Sequence, residues 1–222
     1  RESECDTMAY YGGIEAGGTK FVCGISNEDL TIIKRVSFPT TTPQETLPKV
    51  IHFFQEYQAE LAGIGVGAFG PIDVNQDSAT YGFITSTPKL AWQNFDFVGT
   101  LQKALAVPIA FTTDVNSACY GEYIAGSGQK VKSLVYYTIG TGVGGGAVVD
   151  GKFLAGFSHP EMGHMLMQSH PADHFEGNCP FHGNCLEGLA SGPAIEKRLQ
   201  AKAQTLAPTD PYWQIEADYI AQ

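Results

Sequence analysis

The sequence predicts an α/β protein made of two lobes, and two observations lead to that prediction. Apolar runs of strand length alternate with stretches of helical spacing along the 222 residues, which is typical of α/β folds. Two similar units, Tyr11–Ile25 and Tyr136–Val149, each place a glycine-rich turn between two apolar stretches. We expect both units to be β-hairpins, in two similar half-molecules that face a shared cleft.

The segments between and after the hairpins can be assigned in chain order. Apolar residues at helical spacing predict helices, and short buried runs predict strands. The triplet Thr112-Thr113-Asp114 is good N-terminal capping chemistry for the helix that follows it. We therefore predict a small N-terminal α/β lobe over 8–115 and a larger lobe over 116–222. The predicted elements are helix Pro43–Tyr57, strand Leu61–Phe69, helix Leu101–Leu105, strand Pro108–Phe111, helix Val115–Ala125 and a helix that starts in Ile215–Gln222.

Composition and charge limit the classes of function. Hydrophobic residues make up 43% of the chain and charged residues 16%, which is ample apolar material for a packed core. The net charge of -10 disfavours nucleic acid as the main partner. It leaves a small phosphate ligand open, because glycine-rich loops bind phosphate through backbone N–H groups. With no bilayer-length apolar run and no leader, we expect a soluble, unexported, cytoplasmic protein.

The start of the chain and the isolated cysteines carry no predicted function. Arg1–Thr7 precede the first methionine and match no fold pattern, so we interpret them as a cloning remnant and discount Cys5 with them. Cys23 and Cys119 lie in apolar segments, which predicts inert thiols in the core.

The two glycine turns are candidate phosphate loops. The first, Gly17-Gly18-Thr19-Lys20, offers backbone donors, a hydroxyl and a cation, and the second is Gly140-Thr141-Gly142. Glycine is needed in such turns either for a positive φ or for close approach by a ligand. A tight turn would explain either loop alone, but two matching turns are what a nucleotide held between two lobes requires. Neither turn is a P-loop or opens a helix after a strand, so a dinucleotide site is excluded.

Asp114 is the candidate catalytic carboxylate. If a phosphoryl group passes from such a nucleotide to a hydroxyl, a nearby group must accept the proton of that hydroxyl. Asp114 follows a predicted strand and begins a predicted helix, so its carboxylate would project into the cleft. The alternative is an acid that only stabilises the helix dipole.

A metal pattern lies in the second half of the chain. His164 is followed by Cys179-Pro180-Phe181-His182-Gly183-Asn184-Cys185, and two thiolates with two imidazoles form a tetrahedral ligand set for zinc. A closed shell of four ligands leaves no place for water, so the zinc would be structural. The alternatives are a Cys179–Cys185 disulfide, which is unusual in an unexported chain, or solvated loop histidines. We assign no role to His159, His170 and His174.

These motifs together resemble a known family. Gly13–Lys20, Thr113–Asn116 and Thr138–Gly142 look like the first phosphate, connecting and second phosphate motifs of actin-fold sugar kinases. The metal segment resembles the signature of their ROK family, with His182 where many members have cysteine. The resemblance implies an actin-like, ribonuclease H-like two-lobed fold whose second lobe is incomplete here. It also implies that an adenine-binding glycine motif lies beyond Gln222, so we expect this chain alone to bind adenine nucleotides poorly.

The resemblance also implies roles for individual residues. It makes ATP, a sugar and Mg²⁺ the small-molecule partners, with Asp114 as general base towards the primary hydroxyl of the sugar and Glu15 as a magnesium partner. It makes the chain a homodimer. The implied sugar-binding residues are Gly70, Thr113, Glu161, His164 and Glu187, and the implied nucleotide-binding residues are Gly17, Gly18, Thr19, Lys20, Thr141, Gly142 and Pro193.

Two departures from the family pattern favour one substrate. Glu15 stands where the family usually has Asp, and Thr113 precedes Asp114 where Asn is usual. Both resemble the fructokinase branch, which implies that fructose becomes fructose 6-phosphate. The alternatives are a glucokinase, a mannokinase or an N-acetylhexosamine kinase of the same family, and a non-catalytic ROK sugar sensor. A zinc-stabilised interaction module would not require phosphate loops.

Overall fold

The computed structural model describes residues 9–154 and 159–222. The predicted cloning remnant Arg1–Thr7 and Cys5 lie outside the described residues. Of those described, 9–118 and 159 form one compact unit, and 119–154 and 160–222 form another. Our boundary between 115 and 116 stays a prediction. Within the described residues, no helix has the length and apolar character needed to span a bilayer.

The first unit is built on a five-stranded sheet in the order β3-β2-β1-β4-β7. β1 (Tyr10–Ala16) and β2 (Lys20–Ser26) form the predicted hairpin, and β3 (Ile32–Pro39) extends it as an antiparallel edge strand. β4 (Leu61–Ala68) and β7 (Ile109–Thr113) add to β1 in parallel. The strand predicted over Leu61–Phe69 is confirmed, whereas β3 was missed because its side chains are mostly exposed.

Three helices accompany this sheet. α1 (Pro43–Gln55) buries Leu47, Val50 and Phe54, which recur at helical spacing. α2 (Phe97–Leu105) starts at Asp96, whose carboxylate accepts the Gly99 N–H. α3 (Asp114–Ala125) follows β7 directly. A short two-stranded ribbon, β5 (Phe83–Ile84) with β6 (Phe95–Asp96), precedes α2.

The core of the first unit is large and aromatic. Trp92 is 1% exposed, and its ring lies 5.3 Å from that of Phe21 and 6.1 Å from that of Phe97. Its indole N–H donates to the Thr41 carbonyl at 2.7 Å, so burial leaves the polar edge satisfied. Cys23 is fully buried, and burial raises the pKa of its thiol to about 12. The prediction of an inert thiol at this position agrees with that environment.

The second unit combines the other hairpin with irregular segments and short helices. β8 (Ser133–Ile139), β9 (Val143–Val149) and β10 (Lys152–Phe153) form an antiparallel sheet in the order β10-β9-β8. Three helices follow, α4 (Leu186–Ala190), α5 (Gly192–Leu199) and α6 (Tyr212–Ala221). Its core is small and contains Val143, Met167, Leu186, Leu189, Ala190 and Tyr219.

Candidate functional site

The carboxyl ends of three neighbouring parallel strands align in the first unit. Ala16 of β1 pairs with Ala68 of β4, and Ala68 pairs with Thr113 of β7. The glycine turn, the segment that contains Gly70 and the carboxylate of Asp114 follow these strand ends. Ligands of open α/β sheets bind at this edge. Sheet register therefore brings together three segments that the sequence could name only separately.

Close contact within the chain explains the first glycine turn. The Gly17 N–H donates to the Lys20 carbonyl at 3.0 Å, and a Cβ at Gly17 would stand 2.7 Å from that oxygen. Neither Gly17 nor Gly18 has a positive φ. Of the two reasons that we gave for glycine, positive φ is therefore wrong. The chain's own backbone is close enough to exclude a side chain at Gly17.

A second lysine lies at this turn, and we did not predict it. A Cβ at Gly18 would lie 3.2 Å from the Lys89 Cε, so the Lys89 ammonium is beside the turn. Thr19 and Lys20 are exposed at the same turn. Two lysines therefore border these backbone groups, which favours an anionic ligand. The separation of Lys89 from the turn along the chain left no pattern by which to find it.

Asp114 occupies the first position of α3. Its Oδ1 accepts the N–H of Val115 at 2.8 Å, and the residue is partly buried. A Cβ at Gly67 would meet the Ser117 Cβ at 2.6 Å and the Asp114 Cα at 3.2 Å. Glycine at position 67 of β4 thus permits the start of α3 to approach the sheet, and this close packing sets the position of the Asp114 backbone.

The two residues that suggested fructose lie in different surroundings. Glu15 is exposed on β1, in register with Gly67 of β4. Thr113 is 4% exposed, and its hydroxyl accepts the Asn116 N–H at 3.2 Å. The Thr113 hydroxyl therefore caps α3 in this structure, and contact of this residue with substrate stays a prediction.

Gly70 lies next to a histidine to which we assigned no role. A Cβ at Gly70 would be 3.5 Å from the His159 Nε2. His159 also lines a cavity of about 230 Å³ together with Pro71, Asp73 and Thr85. The His159 ring is therefore close to the backbone that we predicted to frame the sugar.

The four predicted metal ligands come together in the second unit. The candidate ligand atoms of His164, Cys179, His182 and Cys185 all lie within 4.8 Å of one another. The His164 Nδ1 is 3.6 Å from the Cys185 Sγ and 3.9 Å from the Cys179 Sγ. The described cysteines are all free thiols, so the alternative of a Cys179–Cys185 disulfide is not found.

These distances fit a tetrahedral ion. Zinc–sulfur bonds of about 2.3 Å and zinc–nitrogen bonds of about 2.05 Å at tetrahedral angles separate sulfur from nitrogen by about 3.6 Å. The third contact of this kind, from the Cys179 Sγ to the His182 Nδ1, is 3.8 Å. The structure therefore has a group that can hold a metal ion without rearrangement of the loop.

Backbone contact ties the metal segment to the second hairpin. His164 ends a 3₁₀ turn, Met162–His164, and a Cβ at Gly163 would lie only 1.8 Å from the Val143 carbonyl oxygen. Only glycine fits this contact. Glu161 precedes the turn and is exposed, and its carbonyl accepts the His164 N–H at 2.9 Å.

Glu187 links the metal segment to the second glycine turn. It follows Cys185 by two residues, and its Oε2 accepts the Val143 N–H at 3.0 Å, directly after Gly142. The structure thus places this carboxylate on the hairpin backbone, whereas we predicted that it binds sugar. That role stays a prediction.

The second glycine turn forms one end of a cavity of about 820 Å³. Gly140 accepts the N–H of Gly192 at 2.8 Å, and Gly192 begins α5. The predicted nucleotide residues Thr141 and Pro193 therefore lie together on the cavity wall. The wall also contains Trp213, Glu216, Ala217 and Ile220 of α6, none of which we assigned to a site.

Comparison with known proteins identifies the family. The model of the ROK family matches residues 11–217. The chain belongs to the ROK family. A fructokinase of Streptococcus mutans is 54% identical over 215 residues, which are 96% of this chain and 73% of that protein. A fructokinase of Lactococcus lactis subsp. cremoris is 53% identical over 214 residues, 96% of this chain and 72% of that protein.

A solved ROK structure confirms the fold class. The ROK hexokinase from Thermus thermophilus is similar with a TM-score of 0.75 and 25% identity, over 95% of this chain and 74% of that one. The fold is therefore the actin-like, ribonuclease H-like fold of ROK sugar kinases, as predicted. The residue roles that we carried over from the ROK family remain predictions.

Proposed function

We propose that this ROK protein is an ATP-dependent fructokinase that converts D-fructose to D-fructose 6-phosphate. The observation that carries the proposal is the 54% identity to a fructokinase over 96% of the chain. Glu15 and Thr113, the two departures from the usual family pattern, support the same sugar.

The nucleotide is assigned to the glycine turns and to the cavity of the second unit. In the first turn, Gly17, Gly18 and Thr19 offer backbone and hydroxyl groups, and Lys20 offers a cation for phosphate. In the second unit, Thr141 and Pro193 lie on the cavity wall where α5 begins, and the N-terminus of a helix favours anions. Gly142 follows Thr141 in the same turn. The largely apolar wall along α6 suits a nucleoside.

Asp114 is assigned the role of general base. A carboxylate accepts the proton of the primary hydroxyl as the sugar oxygen attacks the γ-phosphorus of ATP, and ADP leaves. The support is its position at the carboxyl edge of β1, β4 and β7, where ligands of such sheets bind. When bound, Mg²⁺ would neutralise charge on the phosphates, and Glu15 is the residue that we assign to it.

The metal is assigned as structural zinc. The support is a set of two cysteines and two histidines whose candidate ligand atoms lie within 4.8 Å of one another, since four such ligands would close the shell of a tetrahedral zinc. Zinc would hold the irregular segment that contains the proposed sugar residues Glu161, His164 and Glu187. Gly70 would frame the sugar through its backbone.

A hexose panel tests the substrate. A chain as long as the fructokinase matched over 73% of its length is assayed for release of ADP from ATP with fructose, glucose, mannose and N-acetylglucosamine at equal concentrations. We expect the highest kcat/KM with fructose. A preference for one of the other sugars would replace fructose by that sugar, and sugar binding without release of ADP would favour the non-catalytic sensor.

We also propose that the protein acts in the cytoplasm as a homodimer. The support is its resemblance to ROK kinases and an acidic sequence without a predicted bilayer-length segment. Sedimentation velocity over a range of concentrations tests the dimer, and a single species of monomer mass would contradict it.

A further inference from the structure

A buried glutamate lies among the apolar residues that α6 contributes to the wall of the 820 Å³ cavity. The cavity-lining residues of α6 are Trp213, Glu216, Ala217 and Ile220. Their spacing of three, four and seven places them on one face of the helix. Three of them are apolar and one is an acid. Ligand cavities of this kind use a few precisely placed polar groups to orient the ligand.

Glu216 is buried, and one of its carboxylate oxygens accepts a hydrogen bond within the protein. The residue is 6% exposed, and its Oε2 accepts the Tyr212 hydroxyl at 2.5 Å. Burial raises the pKa of Glu216, although the Tyr212 hydroxyl and the charge of Arg198 act against that rise. A carboxylate has about four acceptor positions, and Tyr212 uses one of them.

A network of buried side chains holds Tyr212 in place. Arg198 Nη1 donates to the Tyr212 oxygen at 2.8 Å. The same guanidinium donates through Nε at 3.2 Å and Nη2 at 3.0 Å to the two carboxylate oxygens of Asp173. The Tyr219 hydroxyl donates to Asp173 at 2.7 Å. Because each of these groups is fixed by another, the Glu216 carboxyl is held in a defined position at Tyr212, in a residue that lines the cavity.

We propose that Glu216 reads the nucleoside part of ATP by accepting a hydrogen bond from one of its donors. The donors of adenosine are the ribose hydroxyls and the exocyclic amine of the base, and carboxylates are established partners of ribose hydroxyls. This inference rests on the proposed function, because it takes the cavity as the nucleotide site. Glu216 is then a specificity residue and Arg198 a positioning residue that acts through Tyr212.

The same cavity supplies a matched control. Glu196 lines it from α5 but is exposed. Glu196→Gln and Glu216→Gln remove the same charge, so any general effect on the phosphates is shared. At Glu216 the Tyr212 hydroxyl donates to one carboxylate oxygen. In Glu216→Gln the amide oxygen should take that position, so the amide NH₂ should take the position of the other oxygen, which faces the ligand in our proposal. The glutamine NH₂ would then face the donor group of the nucleoside, and the proposed hydrogen bond could not form.

The experiment is isothermal titration of both variants and the wild type with four magnesium nucleotides up to millimolar concentration. Each protein is made as long as the fructokinase that the chain matches over 73% of its length, because we expect the present chain alone to bind adenine nucleotides poorly. The nucleotides are ATP, 2′-deoxy-ATP, 3′-deoxy-ATP and purine riboside triphosphate, which lacks the exocyclic amine. We expect Glu216→Gln to raise the Kd for ATP by about tenfold, the value of one hydrogen bond, and Glu196→Gln to change it by less than about twofold. The analogue that lacks the bonded donor should bind the wild type about tenfold more weakly than ATP does. Its Kd should not change further in Glu216→Gln. That analogue identifies the donor.

The outcomes separate the two proposals. If the wild type does not bind ATP, the proposed function fails. If it binds ATP but Glu216→Gln weakens the binding of all four nucleotides equally, or weakens ATP binding no more than Glu196→Gln does, the inference about Glu216 fails alone. Should Glu216→Gln not fold by circular dichroism, Tyr212→Phe is the second variant, since it keeps the carboxyl and removes its anchor. If the ratio of the Kd for each analogue to the Kd for ATP is the same in Tyr212→Phe as in the wild type, the inference is overturned.

Discussion

The two units hold their candidate site residues in different ways. In the first, Gly17, Gly70 and Asp114 follow parallel strands whose ends are in register, above a large aromatic core. In the second, the candidate residues lie on an irregular segment that contains four possible metal ligands, the Glu187 bond to Val143 and the buried network at Arg198. A site built on sheet register depends on the packing of the whole sheet. A site built on an irregular segment depends on a few polar and metal contacts, so single changes should affect it more.

Removal of the metal gives the sharpest test of this contrast. Cys185→Ser, or a chelator, should disorder the segment from Pro160 to Ala190 and leave β1 and β4 protected, because the structural zinc that we propose would contribute on the order of 10 kcal/mol. Hydrogen exchange followed by mass spectrometry measures both regions in one sample. The control is Cys23→Ser, because Cys23 is a buried cysteine of the first unit. This variant should retain the metal. Equal loss of protection in both units would show that the metal segment is not held separately.

Replacement of Asp114 tests the sheet edge. Asp114→Asn keeps the shape of the side chain but removes the base, so kcat should fall by about 10²- to 10⁴-fold, with the KM for sugar changed by less than about threefold. Asp96→Asn is the matched control, because Asp96 also stands at the start of a helix and accepts the Gly99 N–H. If both variants lose turnover equally, Asp114 is only an acid at a helix start.

The Arg198–Asp173 pair should contribute stability with a defined pH dependence. Burial opposes ionisation of Asp173, but hydrogen bonds from Tyr219, the Phe175 N–H and Arg198 outweigh it and hold the pKa of Asp173 below its ordinary value. Stability from this group is therefore present above the unfolded pKa of about 3.9 and is lost as the pH falls through the lower folded value.

Asp173→Asn should therefore destabilise the protein by about 3 kcal/mol near neutral pH, because it leaves Arg198 buried without a charged partner. Urea unfolding at several pH values should show that the difference from wild type shrinks below about pH 4. The exposed pair Lys34–Glu56 provides the control, and Lys34→Ala should not change the unfolding midpoint. A difference that stays constant down to pH 2 would contradict the assigned pKa shift.

The smallest effect is expected at Lys89. If its ammonium contacts a phosphate of ATP, Lys89→Met should raise the KM for ATP by about fivefold and leave the KM for sugar unchanged. Lys103→Met, on the exposed side of α2, removes the same charge away from the turn and should have no effect. An unchanged KM for ATP in Lys89→Met would remove this residue from the site.

Local patterns predicted the parts of the molecule that local physics determines. Both hairpins, the helix that begins at Pro43, the strand that begins at Leu61 and the metal ligand set were all predicted from spacing and turn chemistry. Contacts between distant segments were not. The approach of Lys89 to Gly18, the Glu187 bond to Val143 and the wall formed by Glu216 depend on how the chain is folded back. A sequence shows the residue types in such contacts but not their partners.

The two tryptophans give each unit its own optical reporter. Trp92 is enclosed by aromatic rings in the core of the first unit, whereas Trp213 lies on the cavity wall, where its indole N–H donates to the Ala207 carbonyl at 2.9 Å. An enclosed indole emits at shorter wavelength and resists iodide, while one at a solvent-filled cavity emits further to the red and is quenched. Fluorescence at two wavelengths can therefore follow loss of structure in both halves of the chain within a single cuvette.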